Sequence, residues 1–459
     1  MIAKQEMFLQ IPGLLYICSY EEKEGTKVNK ERVQRALDYI ESNLKADIAA
    51  MELADIAGYS VFHFYRIFQK AVGMPVMQYF LRRKLLYAIY EIGSGRKRID
   101  VVLEYGFETY PGFYKSFLRE LGYTPSEYLR KYKVKRPYRI NILQEEHIMI
   151  SQKKITDILV NWGLQDKRIA DIVFPETGEI SDTSKYVGDE YVIKYTTNLG
   201  NVKKAIEISK ALESVGLSAP GIIPTLDGKE YFESGELFFV VTKKIIGDRI
   251  AASGLYMDDY EKKARFIGEI IGQLDLALQK VDVIVDEGNT YDAVSCWAIP
   301  KLKNALTLKK GFMEGYLSDF GKFYKLLPRQ IIHKDPNPSN IIVAQDKWGF
   351  IDFELSESNV RIFDPCYAAT AILSETFEAG NDAKLKQWIN VMKEIMYGYD
   401  SVVNMTEEEK KAIPYMILSN QFIATAYFAD KDRYLELYET NKKMTEWVIN
   451  NFDELKAIF

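Results

Sequence analysis

The sequence predicts a multidomain chain, with an all-α part built on a doubled helix-turn-helix followed by a larger α+β part in two lobes. Three observations predict it. A helical pattern runs over residues 28–132 and repeats one helix–Gly–helix layout about fifty residues apart. Strand-like runs then cluster between residues 179 and 247. From residue 258 onward the pattern is helical again, except for a polar, proline-containing loop between short apolar runs at residues 331–354.

Bulk properties agree with that division. The chain has 459 residues and is 47% hydrophobic and 27% charged, which is ordinary globular composition with material for two or three domains. Cys18, Cys296 and Cys366 are far apart and form no CxxC, which argues against a disulfide framework or a cysteine zinc site and for a reducing compartment. No apolar run approaches the roughly 20 residues that span a bilayer. Gln10 and Pro12 interrupt the mildly apolar start, which reads as no signal peptide. The expectation is a cytoplasmic protein with no membrane partner, and residues 1–27 receive no role. The net charge of −5 hides an asymmetry: residues 28–139 hold about 20 Lys/Arg against about a dozen Asp/Glu. A basic module joined to an acidic one suits a chain whose one end meets nucleic acid, although uneven surface charge alone would look the same.

Within the helical part, VQRALDYIESNL has apolar residues at helical spacing. MELADIAGYSVFHFYRIFQKAVGMP reads as a helix with Leu53, Ile56 and Ala57 inward, a turn at Gly58, and a second helix capped by Ser60 with Phe64 and Phe68 inward. RIDVVLEYGFETYPGFYKSFLRELGYTPSEYL repeats the layout with Gly106, a Thr109 cap, Phe113 and Phe117. The units close alike, at Gly73-Met74-Pro75 and Gly122-Tyr123-Thr124-Pro125, and VMQYFLRRKLLYAIYEIG forms one long helix between them. Two such units on a rigid spacer can set recognition helices about one DNA turn, roughly 34 Å, apart.

The pattern S-x-x-x-[LF]-x-R-x-F…G…P followed by G-F-x-[ST]…F-x-[KR]-x-F-x-x-x-x-G-x-[TS]-P resembles the AraC family of transcription regulators over nearly all of residues 28–132. The resemblance implies double-stranded DNA as partner. It implies base-edge contacts from Phe62, Tyr65 and Arg66 in the first recognition helix, and from Tyr110, Tyr114 and Lys115 in the second. Pro111-Gly112 departs from the usual pattern, since Gly112 offers no side chain to a base.

A polar stretch with Pro137, residues 133–154, reads as a linker in which His147 has no specific role. The α+β part then covers residues 155–459, with a small lobe to about 247 and a helical large lobe after it. ITDILVNWGL is an amphipathic helix, and EISDTSKYV and EYVIKYT are strands around Gly188-Asp189. Lys194 lies inside the second strand, where a charge needs a partner; Glu207 on the following helix has suitable spacing. In IIHKDPNPSNIIV, Pro336 and Pro338 keep the segment out of a helix. Asp335 there can orient a hydroxyl and accept its proton. Asn340 and Asp352 supply the hard oxygens that Mg²⁺ prefers, and Lys194 can neutralise phosphate charge, a sufficient set for phosphoryl transfer.

These pieces resemble the aminoglycoside phosphotransferase family, whose kinase-like fold also serves choline and homoserine kinases. The resemblance rests on H-x-D-x-x-x-x-N at His333, Asp335 and Asn340, on Ile351-Asp352-Phe353, and on the strand lysine Lys194, with Asp364 in RIFDPCYAA as a structural acid. It implies ATP or GTP with Mg²⁺ as cofactors, bound through Lys194, Glu207, Asn340 and Asp352, with Asn340 and Asp352 on the metal and Asp335 catalytic. Lys334 stands where the family usually has glycine, Glu354 where a small residue is common, IGQLDLALQK lacks a histidine, and residues 179–187 are not glycine-rich. Two readings are open. In one, a DNA-binding regulator carries a kinase-like domain that senses a small molecule. In the other, an ATP-dependent small-molecule phosphotransferase also binds DNA.

Overall fold

The computed structural model describes residues 24–458 apart from 146, 175–177, 258, 307–310 and 346. Residues 1–23, with Cys18, lie outside the described residues. The chain forms two compact units: Glu21–Leu199 with Ile222–Lys244, and Gly200–Gly221 with Ile245–Phe459.

The first unit opens with α1 (Glu24–Ser42), α2 (Ala50–Ala57), α3 (Val61–Val72), α4 (Val76–Gly93), α5 (Arg98–Glu104), α6 (Tyr110–Leu121) and α7 (Pro125–Lys131). The α2–α3 and α5–α6 pairs are the two repeated units, and α4 is the long helix between them. Phe64, Phe68, Phe113 and Phe117 are fully buried, with the rings of each i,i+4 pair 5.6–5.7 Å apart. Thr109 accepts the Gly112 N–H at 3.2 Å, as a cap should. Ser60, its counterpart, occupies the N-cap position of α3 without a side-chain hydrogen bond; it is exposed, so water can serve the first-turn amides.

Gly73 and Gly122 end α3 and α6 at φ +90° and +80°. At either position a Cβ would collide with passing backbone, at the Met149 carbonyl and the Ile169 carbonyl respectively. Glycine is therefore required twice at each site, for the dihedral and for the close approach. The passing backbone belongs to the segment read as a linker and to the strand after it. Residues 133–154 are packed rather than solvated: Ile140, Ile142, His147 and Ile150 are buried. Gln34 clamps the segment, donating to the Ile140 carbonyl at 3.0 Å and accepting from the Ile142 N–H at 2.9 Å. The alternation of isoleucines in a polar stretch carried that information, and the polar composition masked it. The next helix, α8 (Gln152–Leu159), starts three residues before the expected domain start.

An antiparallel sheet comes next, in the order β1-β2-β3-β6-β4, with β5 paired to β6. Its strands are β1 (Ile169–Val173), β2 (Ile180–Val187), β3 (Tyr191–Thr196), β4 (Ile222–Ile223), β5 (Phe232–Ser234) and β6 (Leu237–Lys243). Ala170 and Val173 of β1 belong to the same apolar core as the helices α1–α7. At that junction three charges are buried together. Arg82 of α4 reaches Asp171 Oδ2 at 2.5 Å and the Glu120 carbonyl at 3.1 Å, and Lys185 of β2 binds Asp171 Oδ1. Asp171 is wholly buried. Burial opposes its ionisation, and Arg82 and Lys185 overcome that, holding the carboxyl below its ordinary range. A second buried pair, Arg83 forked onto Glu41 with Tyr79 donating to the same carboxylate at 2.9 Å, ties α4 to α1.

The second unit begins with α9 (Leu199–Ser214) and continues through β7 (Asp248–Arg249), α10 (Tyr260–Leu278), β8 (Asp286–Glu287), α11 (Thr290–Asp292), α12 (Ile299–Leu302) and α13 (Phe312–Tyr324). Two small sheets, β11-β10-β7 and β8-β12-β9, carry β9 (Arg329–Ile332), β10 (Ile341–Ala344), β11 (Lys347–Phe350) and β12 (Glu357–Val360). The remaining helices are α14 (Phe363–Thr376), α15 (Asp382–Val403), α16 (Glu407–Phe428), α17 (Leu435–Asn450) and α18 (Phe452–Lys456). Trp388, Tyr399, Phe320 and Phe422 fill their core. No described helix is long and apolar enough to cross a membrane.

The Arg82–Asp171–Lys185 cluster yields a stability prediction. Asp171→Leu leaves two cations buried without their counter-ion and should cost about 3–5 kcal/mol in urea unfolding. Replacing all three at once (Arg82→Met, Asp171→Leu, Lys185→Met) should recover most of that loss; an equal loss in both variants would contradict the assignment.

Candidate functional site

On the helical module, the recognition helices α3 and α6 turn their phenylalanines inward and leave one face outward. Phe62 is 77% exposed and Tyr114 36% exposed, and Arg66 and Lys115 are exposed. Phe62 shares this outward face with Val61, which is 36% exposed. Tyr65 and Tyr110 are half-buried and lean on the core; Tyr110 lies 6.0 Å from the Phe113 ring. Four of the six expected base-contact residues thus stand free of the core and two are partly absorbed by it.

In the second unit, the loop after β9 gathers Asp335, Asn340 and Asp352. Asp364, at the start of α14, accepts the backbone N–H groups of His333 at 2.8 Å and Lys334 at 2.9 Å, and so sets the loop's backbone. His333 is buried between Phe353 and Phe350, with ring centroids 4.8 and 5.7 Å away. Its Nδ1 accepts the Asp335 N–H at 3.2 Å, which leaves Nε2 to donate to the Ile351 carbonyl at 3.0 Å. The histidine therefore links the Asp335 segment to the Asp352 segment as a neutral bridge. Lys334 adopts φ +71°, a left-handed conformation that glycine reaches freely, and its ammonium forms a buried ion pair with Glu357. The glycine-to-lysine departure is accommodated there.

Asp335 is 4% exposed. Its Oδ1 accepts Asn337 Nδ2 at 2.8 Å, its Oδ2 accepts Asn340 Nδ2 at 3.0 Å, and Tyr367 of α14 donates to the same carboxylate. Burial pushes the Asp335 carboxyl well above its ordinary value, and the charge of Asp352 adds to the shift against those hydrogen bonds. Asp352 itself sits at φ +76°. A buried carboxyl whose proton affinity is raised by a neighbouring carboxylate marks a place where a divalent cation would be favoured. The Asn340 amide group is spent on Asp335, which directs its Oδ1 elsewhere as a hard donor. No described group of three or more His, Cys, Asp or Glu forms a metal cage. The donor set suits Mg²⁺ completed by phosphate and water oxygens rather than an all-protein cage.

Lys194 lies in the first unit and Glu207 in the second. Lys194 is half-buried on the face of β3 opposite Ile193 and Tyr195, beside Ser184 and Val240 across the ladder. It is therefore on the other face from the fully buried one. Glu207 is exposed on α9, and the buried charge on that helix is Lys204, 3.2 Å from Asp286. Sequence reasoning missed Asn337, Tyr367 and Asp275. Asn337 carried a signal, standing between two prolines where a short amide can close a turn. Tyr367 and Asp275 carried none, since tertiary packing alone brings them in.

The comparisons with known proteins fall on the same two parts. Residues 53–131 match the family described as helix-turn-helix domain. The transcriptional activator AarP of Providencia stuartii is 34% identical over 111 residues, 24% of this chain and 82% of AarP. The chain belongs to the AraC-type helix-turn-helix family. This AraC-type protein is also 34% identical over 100 residues to the uncharacterised regulator YbfP of Bacillus subtilis, covering 22% of this chain but only 34% of YbfP. Residues 180–395 match the phosphotransferase enzyme family. A microcompartment-associated aminopropanol kinase has the same fold, with a TM-score of 0.52 and 10% identity, over 66% of this chain and 98% of that one. The AraC-type protein thus joins a helix-turn-helix module to a kinase-like α+β domain.

Asp275 of α10 accepts the Tyr399 hydroxyl and neighbours Asp364; burial, then the Asp364 charge, pushes it well up, and burial pushes Asp364 up to about 7. Both folded-state values exceed the unfolded ones, so the folded protein holds protons that the unfolded chain releases. Their stabilisation is complete at acid pH and is lost as pH rises through about 7. Asp275→Asn should make the decline in urea stability between pH 5 and 9 shallower than in the native protein; identical slopes would show that the pair does not titrate this way.

Proposed function

We propose that this protein is a sequence-specific transcription regulator whose kinase-like domain senses a small molecule and a nucleotide. One observation carries the proposal: the strand β1 of the kinase-like sheet is part of the core of the DNA-binding module and is locked to α4 through Asp171 and Arg82. The sheet that bears Lys194 and the helices that bear the base-contact residues are one compact unit. A ligand that displaces the sheet would therefore displace the DNA reader with it, which is the coupling that ligand control requires.

In this reading Phe62, Tyr65 and Arg66 of α3 and Tyr110, Tyr114 and Lys115 of α6 face base edges in successive major grooves. The module's basic residues supply the salt-dependent contacts to phosphate. Arg66 can fork onto a guanine edge. Arg66→Ala should weaken binding to DNA from upstream of the protein's own gene by about 1–3 kcal/mol, mainly at one base position, in electrophoretic shifts at stated salt. Absence of sequence-preferring binding by the native protein would refute the regulator reading.

A second reading, an ATP- or GTP-dependent phosphotransferase, is favoured by the convergence of Asp335, Asn340 and Asp352. Lys194, with Glu207, is assigned to the nucleotide phosphates, and Asn340 and Asp352 to Mg²⁺. The bound Mg²⁺ would neutralise triphosphate charge. Asp335 would accept the hydrogen bond of a substrate hydroxyl, orient it, and take its proton late. Asp335→Asn should keep Mg-dependent nucleotide binding within a few-fold in calorimetry. It should abolish any nucleotide consumption seen with amino alcohols or aminoglycosides. Unchanged turnover in that variant would remove the catalytic role.

A further inference from the structure

A concavity of about 900 Å³ lies entirely within the first unit, where α4 and α6 of the DNA-binding module meet α8 and β1. Its volume is in the range of small-molecule sites. Met77 and Leu81 of α4, Leu118 of α6 and Ile169 of β1 give it an apolar floor. Met77 and Leu118 are each 38% exposed, which leaves unpartnered apolar surface inside the hollow.

The polar part of the lining is mostly cationic. Arg119, Lys153, Lys167 and Arg168 stand against one carboxylate, Glu120. That carboxylate is already engaged, accepting Gln78 Nε2 at 3.2 Å and lying 3.6 Å from Arg119. Lys167 reaches Glu190 only at 3.8 Å, and Arg168 is oriented by the Gly122 carbonyl at 2.7 Å and Glu127 at 3.4 Å. Lys153 is exposed, in the first turn of α8, whose N-terminal amides add positive potential. An apolar floor beneath a rim of four cations selects one ligand chemistry, an organic anion with an apolar body.

We infer that this hollow is an effector site for such an amphipathic anion, separate from the kinase-like loop. Its position gives it leverage. The ligand would touch the C-terminal end of the second recognition helix on one side and β1 on the other. The Arg82 guanidinium beneath it already bonds the Glu120 carbonyl and the Asp171 carboxylate. The inference depends on neither nucleotide binding nor turnover.

The test uses the full chain labelled with ¹³C-methyl methionine, the Met77 signal being assigned by Met77→Leu. Decanoate should shift that signal saturably, and 1-decanol at the same concentration should leave it in place. Arg119→Glu with Lys153→Glu should raise the decanoate midpoint at least tenfold, while the other methionine signals report an intact fold. An unmoved Met77 signal, an equal response to decanol, or an unchanged midpoint in the double variant would each overturn the inference. So would loss of binding to short duplex DNA of arbitrary sequence in the Arg119→Glu, Lys153→Glu variant without decanoate, which would reassign the cations to phosphate contacts.

Discussion

The structure of the DNA-reading unit depends on one buried carboxylate. Asp171, wholly inaccessible, is met by Arg82 from a helix and Lys185 from a strand. A buried charge is tolerated only when it is paired and hydrogen-bonded, so the geometry of that meeting is narrowly constrained. Arg82 is fixed further by the Glu120 carbonyl, and β1 by the Tyr123 hydroxyl, which donates to the Asp171 carbonyl at 2.8 Å. The long helix between the two repeated units, the end of the second recognition helix and the first strands of the sheet are thereby held in one register. The two glycines that end the recognition helices allow this, because their missing side chains are what let the later backbone pass so close.

The loop of the second unit obeys a similar logic with opposite charge. Asp364 gathers two backbone amides, His333 bridges two segments as a neutral ring, and Asn337, Asn340 and Tyr367 all turn donors toward Asp335. The polar atoms of a buried loop must all find partners, and here nearly every partner is a neutral donor. What they do not neutralise is the repulsion between Asp335 and Asp352. Lys334 does not neutralise it either, because its charge is drawn off to Glu357.

The legible part of the fold was the periodic part. Phe64, Phe68, Phe113 and Phe117 announced the inner faces of the doubled unit, and Gly58 and Gly106 its turns, because local periodicity and left-handed glycines act over a few residues. The His333-Asp335-Asn340 spacing exposed the loop for the same reason. The packing of residues 133–154 was hidden, since a polar average conceals five buried residues and a backbone whose partner, Gln34, is far away in sequence. Lys194 is half-buried and Lys185 on the neighbouring strand is buried, a difference hidden in the sequence because a strand's two faces look alike until the sheet has something packed on one of them.

By itself the sequence determined the doubled helical hairpin, the α+β character of the larger C-terminal part and the loop residues, all properties of short-range pattern and residue chemistry. Tertiary structure alone decided that the DNA-binding module and the first strand share a core, that Tyr367 and Asp275 join the loop's environment, and that Lys185 rather than Lys194 is the buried strand lysine. The physical reason is that desolvation is a property of position in three dimensions. A charge's cost and its partner are set by what surrounds it after folding, and chain neighbours carry little record of that.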